Sequence, residues 1–189
     1  LKVHRTLKCI GIEDMELSLS KVELIREFLQ MNKNITTLII YGIPEHYGVI
    51  ENIVEMTRSN LSFTRLDLGS GFLTGNMIQA MNGMMHTDFR LKELYLDQCY
   101  LSEDEEYVAV ENFLAANTPL ETFGLRAAGI DAENAQYIAR GLTANTHLKV
   151  LDLRENNAIG TLMPALKHHQ SITSLDFRGN HASGTVLEI

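Results

Sequence analysis

Cysteine is almost missing from this chain: of 189 residues only Cys9 and Cys99 carry a thiol. No run of about 18 uninterrupted apolar residues occurs, so there is no candidate for a membrane-spanning helix. Positive charge is in deficit, with 16 Lys and Arg against 24 Asp and Glu and a formal net charge of -8. That balance argues against a nucleic-acid partner, whose phosphates need basic contacts. Linkers rich in Gly, Ser or Pro are absent, as are low-complexity tracts, so residues 1–189 read as a single domain. The chain also lacks the short motifs of catalysis. No G-x-S-x-G, P-loop or C-x-x-C occurs. Seven histidines include one adjacent pair, His168-His169. A helical metal site wants histidines three or four residues apart, and neighbours on a helix diverge by about 100°. The pair therefore reads as the polar end of a helix, and His147 and His181 read as surface residues. Gly69-Ser-Gly71 superficially suggests a phosphate loop, but it falls where a short strand phrase turns. No cofactor, metal, small-molecule substrate or catalytic residue is expected.

What the chain does have is one short phrase, seven times over. Its strictest copy is Leu91-Lys-Glu-Leu94-Tyr-Leu96-Asp-Gln-Cys99-Tyr-Leu101. The others start at Leu7, Ile35, Phe63, Leu120, Leu148 and Ile172, at intervals of 28, 28, 28, 29, 28 and 24 residues. Leu94 and Leu96 alternate with Tyr95, so both leucines point to one side of a short strand. The same alternation occurs at Ile10/Ile12, Leu38/Ile40, Leu66/Leu68, Phe123/Leu125, Leu151/Leu153 and Leu175/Phe177. A single copy has one apolar edge and nothing to bury it against. Stacking the copies in register joins those edges into a continuous core. Strands are expected near 9–12, 37–40, 65–68, 93–96, 122–125, 150–153 and 174–177, all parallel, because a helix-bearing crossover joins each phrase to the next. Cys9 then points outward and Cys99 inward. They lie three phrases apart, roughly 14 Å at about 4.8 Å per strand. A disulfide needs Cα atoms within about 7 Å, so both thiols should be reduced.

Helical spacing follows each phrase. Ser20-Lys-Val-Glu23 reads as a capping box ahead of Val22, Ile25, Phe28 and Leu29. Ser102-Glu-Asp-Glu105 repeats the device before Val110, Phe113 and Leu114. The acidic run Glu103 to Glu106 is read as first-turn charge favoured by the helix dipole, not as a binding tract. Asp131 is expected to cap a helix carrying Ala135, Ile138 and Leu142. Asn32, Asn117 and Asn145 stand where helices should end, as residues that tolerate left-handed backbone. The short sixth interval leaves Leu162 and Leu166 in a short helix or single turns.

The phrase resembles the leucine-rich repeat signature L-x-x-L-x-L-x-x-N/C-x-L. Its period, with the joins Asn117-Thr-Pro-Leu-Glu-Thr-Phe-Gly-Leu and Asn145-Thr-His-Leu-Lys-Val-Leu-Asp-Leu, resembles the ribonuclease-inhibitor type over residues 7 to 182. That type includes ribonuclease inhibitor, Ran GTPase-activating protein, tropomodulin, the sensor domains of NOD-like receptors and some bacterial effectors. The resemblance implies an α/β solenoid: a right-handed horseshoe of about seven repeats, with a parallel inner sheet and outer helices. In this architecture the ninth place turns the chain out of the strand and bonds the neighbouring repeat. Here it holds Cys99, Asn156 and Asn180. Met15, Ile43, Gly71 and Ala128 deviate, and their turns should be less regular. The resemblance implies a protein-binding module without activity of its own. Other readings are a regulator of a small GTPase, an accessory domain of a bacterial effector or larger enzyme, and a purely architectural segment. Exposed apolar ends would favour the last. Beginning at Leu1 and not Met, the chain is expected to be part of a longer one. With reduced thiols it is expected inside cells, or delivered into a host cytoplasm.

In such a horseshoe the third, fifth and seventh places of each phrase line the concave face. The seventh place reads Glu13, Tyr41, Gly69, Asp97, Arg126, Arg154 and Arg178, and the fifth reads Gly11, Ile39, Asp67, Tyr95, Gly124, Asp152 and Asp176. Exposed Tyr and Arg are enriched at binding hot spots. Two outward apolar neighbours, Ile39 and Tyr41, call for cover. The expected partner-binding residues are Ile39, Tyr41, Asp67, Tyr95, Asp97, Arg126, Arg154 and Arg178. A mixed strip of this kind favours a folded protein or an acidic peptide. The plainer alternative is that Asp152 and Asp176 neutralise the arginines beside them.

Overall fold

The structure, a computed structural model, describes residues 3–13, 17–42, 52, 55–56, 60, 62–70, 90–101 and 103–180. Its strands are β1 (Cys9–Ile12), β2 (Thr37–Tyr41), β3 (Arg65–Gly69), β4 (Glu93–Tyr95), β5 (Thr122–Gly124), β6 (Val150–Asp152) and β7 (Ser174–Asp176). They form one open sheet in sequence order, every pair parallel. The register is the phrase itself: Cys9 pairs Thr37, Thr37 pairs Arg65, Arg65 pairs Glu93, Glu93 pairs Thr122, Thr122 pairs Val150 and Val150 pairs Ser174. Differences in interval length are absorbed between strands, so equivalent side chains stay aligned. A carbonyl ladder holds this alignment. The Lys8 oxygen accepts amides from Thr36 (2.9 Å) and Thr37 (3.0 Å), and the Glu121 oxygen accepts those of Lys149 (2.8 Å) and Val150 (2.9 Å). Lys149 does the same for Thr173 (2.8 Å) and Ser174 (3.0 Å) across the shortest interval.

Four helices are described: α1 (Leu19–Met31), α2 (Asp104–Ala115), α3 (Ala135–Ala144) and α4 (Ile159–Lys167), and residues 52, 55 and 56 are also helical. Their apolar residues Leu29, Leu114, Ile138, Leu142 and Leu162 are buried in one cluster with Leu38, Ile40, Leu66, Leu68, Leu94, Leu151 and Leu153 of the strand phrases. The alternation therefore works as expected from β1 to β6, with one sheet face turned to the core and the other left open, while on β7 the expected inward residue Leu175 stays exposed because no further phrase covers it among the described residues. Successive helices approach closely. At Gly141 of α3 a Cβ would lie 2.8 Å from both the Glu111 oxygen and the Leu114 Cβ of α2. No described helix is long and apolar enough to cross a membrane.

Several helix ends differ from the sequence reading. Helix α1 starts at Leu19 with Ser18 before it, so Ser20 lies inside the helix and bonds Ser18 (3.0 Å) in place of a backbone amide. In α2 the device sits one residue later, where Glu106 accepts the Glu103 amide at 3.3 Å; Ser102 lies outside the described residues. Asp131 does accept the amide three residues on (Asn134, 2.8 Å), but it caps a turn and the α-helix proper begins at Ala135. Of the three helix-ending asparagines only Asn117 is left-handed (φ 51). Asn32 (φ -113) and Asn145 (φ -88) are there for their side chains. Asn145 Nδ2 donates to the Leu114 carbonyl (2.9 Å), and its Oδ1 accepts the amides of His147 (3.0 Å) and Leu148 (2.8 Å). Such a side chain completes backbone groups that would otherwise be buried unpaired.

The ninth-place residues stitch neighbouring phrases together. Cys99 Sγ donates to Leu68 O (2.9 Å). Asn156 Nδ2 donates to Leu125 O (2.8 Å), and its Oδ1 accepts the amides of Ala128 and Ile130, both at 3.1 Å. Asn180 Nδ2 reaches back to Leu153 O (2.7 Å). Just before these slots the chain steps through left-handed backbone at Ser70 (φ 57), Gln98 (φ 57), Ala127 (φ 51), Glu155 (φ 57) and Gly179 (φ 77). The deviant turn at Ala128 keeps that step, because Asn156 holds it from outside, and adds a second at Gly129 (φ 75). Met15, Ile43 and Gly71 lie outside the described residues.

Candidate functional site

The open face carries its side chains in three lines set by the register. On one line Ile39, Asp67 and Tyr95 are neighbours, and on the next Tyr41 stands beside Gly69. All eight expected residues lie on this face or at its rim, yet they divide into two different environments.

In the first half the tyrosines lie across the sheet. A Cβ added at Gly69 would meet the Tyr41 ring at 2.1 Å, and one added at Gly124 would meet the Tyr95 ring at 2.5 Å. Each glycine is thus the space its neighbour's ring occupies. Beneath this cover Asp67 is only 5% exposed, although its position is outward. Arg65 donates to Glu93 Oε2 (3.0 Å) and Asp67 Oδ2 (3.3 Å), with its guanidinium carbon 4.3 Å from the Tyr95 ring centre. Burial, then the charges of Asp67 and Asp97, pushes the Tyr41 hydroxyl up to about 12. The Asp97 carboxyl is also raised, first by burial and then by Asp152 and Asp67, against the Arg126 amide that it accepts at 3.1 Å.

In the second half every expected arginine already holds a carboxylate of this chain. Arg154 grips Asp152 through Nε (2.9 Å) and Nη2 (2.5 Å), and its Nε lies 3.6 Å from Asp176. Arg178 grips Asp176 through Nε (3.0 Å) and Nη2 (2.7 Å), which holds that carboxyl down at about 2. Arg126 reaches Glu155 from Nη2 at 2.6 Å. The arginines form a neutralised ladder, the plainer of the two sequence readings. Glu155 was not expected there. It sits in the eighth place, a turn position, and the signal that marks it is a charge opposite to Arg126 one phrase on.

Cys9 is exposed and Cys99 buried, both free, as their slots require. His168 caps the C-terminus of α4 and is exposed. His169 is not a plain surface residue: its Nδ1 lies 3.4 and 3.3 Å from the amides of Ser171 and Ile172, and its Nε2 is buried. His147 Nδ1 lies 3.0 Å from Asn117 Oδ1, while His181 lies outside the described residues. Among the described residues no group of three or more His, Cys, Asp or Glu is placed to hold a metal. No family model matches the chain.

Proposed function

We propose that this chain is a leucine-rich repeat solenoid of the ribonuclease-inhibitor-like type that binds another protein on the open, concave face of its sheet and has no catalysis of its own. The observation that carries the reading is the composition of that face. Two aromatic rings, a guanidinium and a row of carboxylates are presented by strands in fixed register, on a rigid support. Aromatic rings offer apolar area with little entropy to lose, and ordered charges select the partner's orientation. The chain serves inside a cell, where its two free thiols stay reduced.

The test is capture of a binding protein from a cell lysate by wild-type chain and by two variants. Tyr95→Ala with Arg65→Gln should weaken capture at least tenfold, or about 1.4 kcal/mol. Glu105→Gln on α2, away from the sheet, should leave it unchanged. The opposite pattern assigns binding to the helix side. A second reading has an observation of its own. Leu24 (56% exposed) and Met31 (43%) lie uncovered on α1, and Leu175 (40%) on β7. These favour a stacking segment whose ends meet further protein. Loss of solubility rescued by Leu24→Gln and Leu175→Gln, with no effect of the open-face variants on capture, would select it.

A further inference from the structure

The two halves of the open face are unequal in charge. In the second half Arg126, Arg154 and Arg178 are matched one to one by Glu155, Asp152 and Asp176. In the first half Arg65 faces both Asp67 and Glu93, and Asp97 feels only the guanidinium of Arg154, which is itself held by Asp152. The Arg65 guanidinium is taken by Glu93 and by one oxygen of Asp67. The other oxygen, Asp67 Oδ1, is buried with no well-formed hydrogen bond, although the Tyr41 hydroxyl is drawn to the same carboxylate. Asp97 accepts a backbone amide and forms no ion pair among the described residues. A buried carboxylate oxygen without a donor is costly, and a partner that supplies the donor recovers that cost.

The surroundings define the missing group. The Tyr95 ring edge and Asp97 Oδ1 converge above Gly124, at 2.5 and 3.0 Å from where a Cβ would stand. Tyr41 lies over Gly69, on the other side of Asp97 along the same line. The Tyr41 hydroxyl feels both Asp67 and Asp97. Aromatic faces beside uncompensated carboxylates suit an organic cation, which gains from both. The face itself already uses this combination once, with Arg65 over Tyr95.

We propose that the centre of the open face receives a single cationic side chain, arginine or lysine, from a protein partner, held by Asp97 between Tyr41 and Tyr95 and, once the Tyr41 ring shifts off it, by the buried oxygen of Asp67. This rests on the concave-face reading and sharpens it: the arginines are already occupied, so the face accepts a basic loop and not an acidic peptide.

The probe is N-acetyl-arginine amide, titrated into the chain while the tyrosine ring resonances are followed by NMR. N-acetyl-glutamate serves as the opposite charge. Saturable shifts at Tyr41 and Tyr95 with the arginine probe, and none with glutamate, are expected. Asp97→Asn keeps an oxygen for the Arg126 amide, so the turn survives, and it should weaken the probe at least fivefold. Asp67→Asn should do the same, while Glu133→Gln, the same charge change on an exposed turn, should not. Shifts confined to other residues, or Asp97→Asn binding the probe like wild type, overturn the proposal. The two readings fail separately. If the probe misses these rings while Tyr95→Ala still loses protein capture, only the cation inference falls. If the probe binds here but open-face variants keep capture, the cation site stands and the concave-face reading falls.

Discussion

Asn156→Ala should be among the most damaging single changes in the chain, although it removes no apolar group. The side chain is 6% exposed and spans two phrases. It serves Leu125 O, the Ala128 amide and the Ile130 amide of the preceding phrase, and Leu153 O (3.1 Å) of its own. Ala128 is 0% exposed and Ile130 1%, so water cannot replace the lost partner without opening the turn. A buried polar group left unpaired costs about 1–3 kcal/mol. Three such groups, with some relaxation, give about 3–6 kcal/mol, a large part of the ~5–15 kcal/mol that holds a domain folded. Asn156→Cys imitates Cys99 at the equivalent place. It keeps a weak donor for Leu125 O but leaves both amides unpaired, and should fall between wild type and alanine. Urea unfolding followed by circular dichroism gives the stabilities, and hydrogen exchange reads the Ala128 and Ile130 amides directly. A loss below about 1 kcal/mol, or unchanged exchange at both amides, would refute the idea that this slot ties neighbouring phrases together.

Acid should loosen the C-terminal end through His169. Burial lowers its pKa, so between its unfolded value near 6.5 and the lower folded one the unfolded chain binds more protons. Stability is therefore full above pH 6.5, declines as pH falls through that window, and levels off below the folded pKa. His169→Asn, which restores the residue used at Asn145, should flatten melting temperature against pH relative to wild type; equal slopes in both proteins would contradict this. Ala127→Gly should stabilise by about 0.5 kcal/mol, since left-handed backbone costs a residue with a Cβ about 1 kcal/mol and the extra freedom of unfolded glycine returns part of it. A lower urea midpoint would count against that account. Cys9 should react with a thiol reagent in the native state and Cys99 only on unfolding. Equal rates would mean the two slots are assigned to the wrong sides.

The strands and their facing could be read from the chain because a two-residue period leaves little choice: Leu38 and Ile40 must share a side, and Thr37, Ile39 and Tyr41 the other. The parallel pairing followed because each phrase returns in phase. Helix starts were less legible. Ser18, Ser20, Glu103 and Glu106 all satisfy local capping chemistry, and packing of the helix on the sheet decides among them. The asparagines were placed correctly and explained wrongly at Asn32 and Asn145, since their value lies in side-chain bonds to distant backbone, the His4 amide for Asn32 and the Leu114 carbonyl of the previous helix for Asn145, which no local pattern displays. At the candidate site, the Asp152–Arg154 and Asp176–Arg178 pairs were visible as same-side neighbours two residues apart. Arg126 with Glu155 was not, because that contact joins a strand end to the next turn. The burial of Asp67 was hidden too. It depends on Tyr41 lying over Gly69, and only the register brings a ring and a vacancy together.

The most direct test of the working surface is hydroxyl-radical footprinting of the chain bound to its captured partner. Tyr41 and Tyr95 on the open face should lose modification on binding, while Leu24 of α1 and Val108 of α2, exposed at 56% and 42%, should react as in the unbound chain. Protection of Leu24 and Val108 with Tyr41 and Tyr95 unchanged would place the partner on the helices and contradict the account.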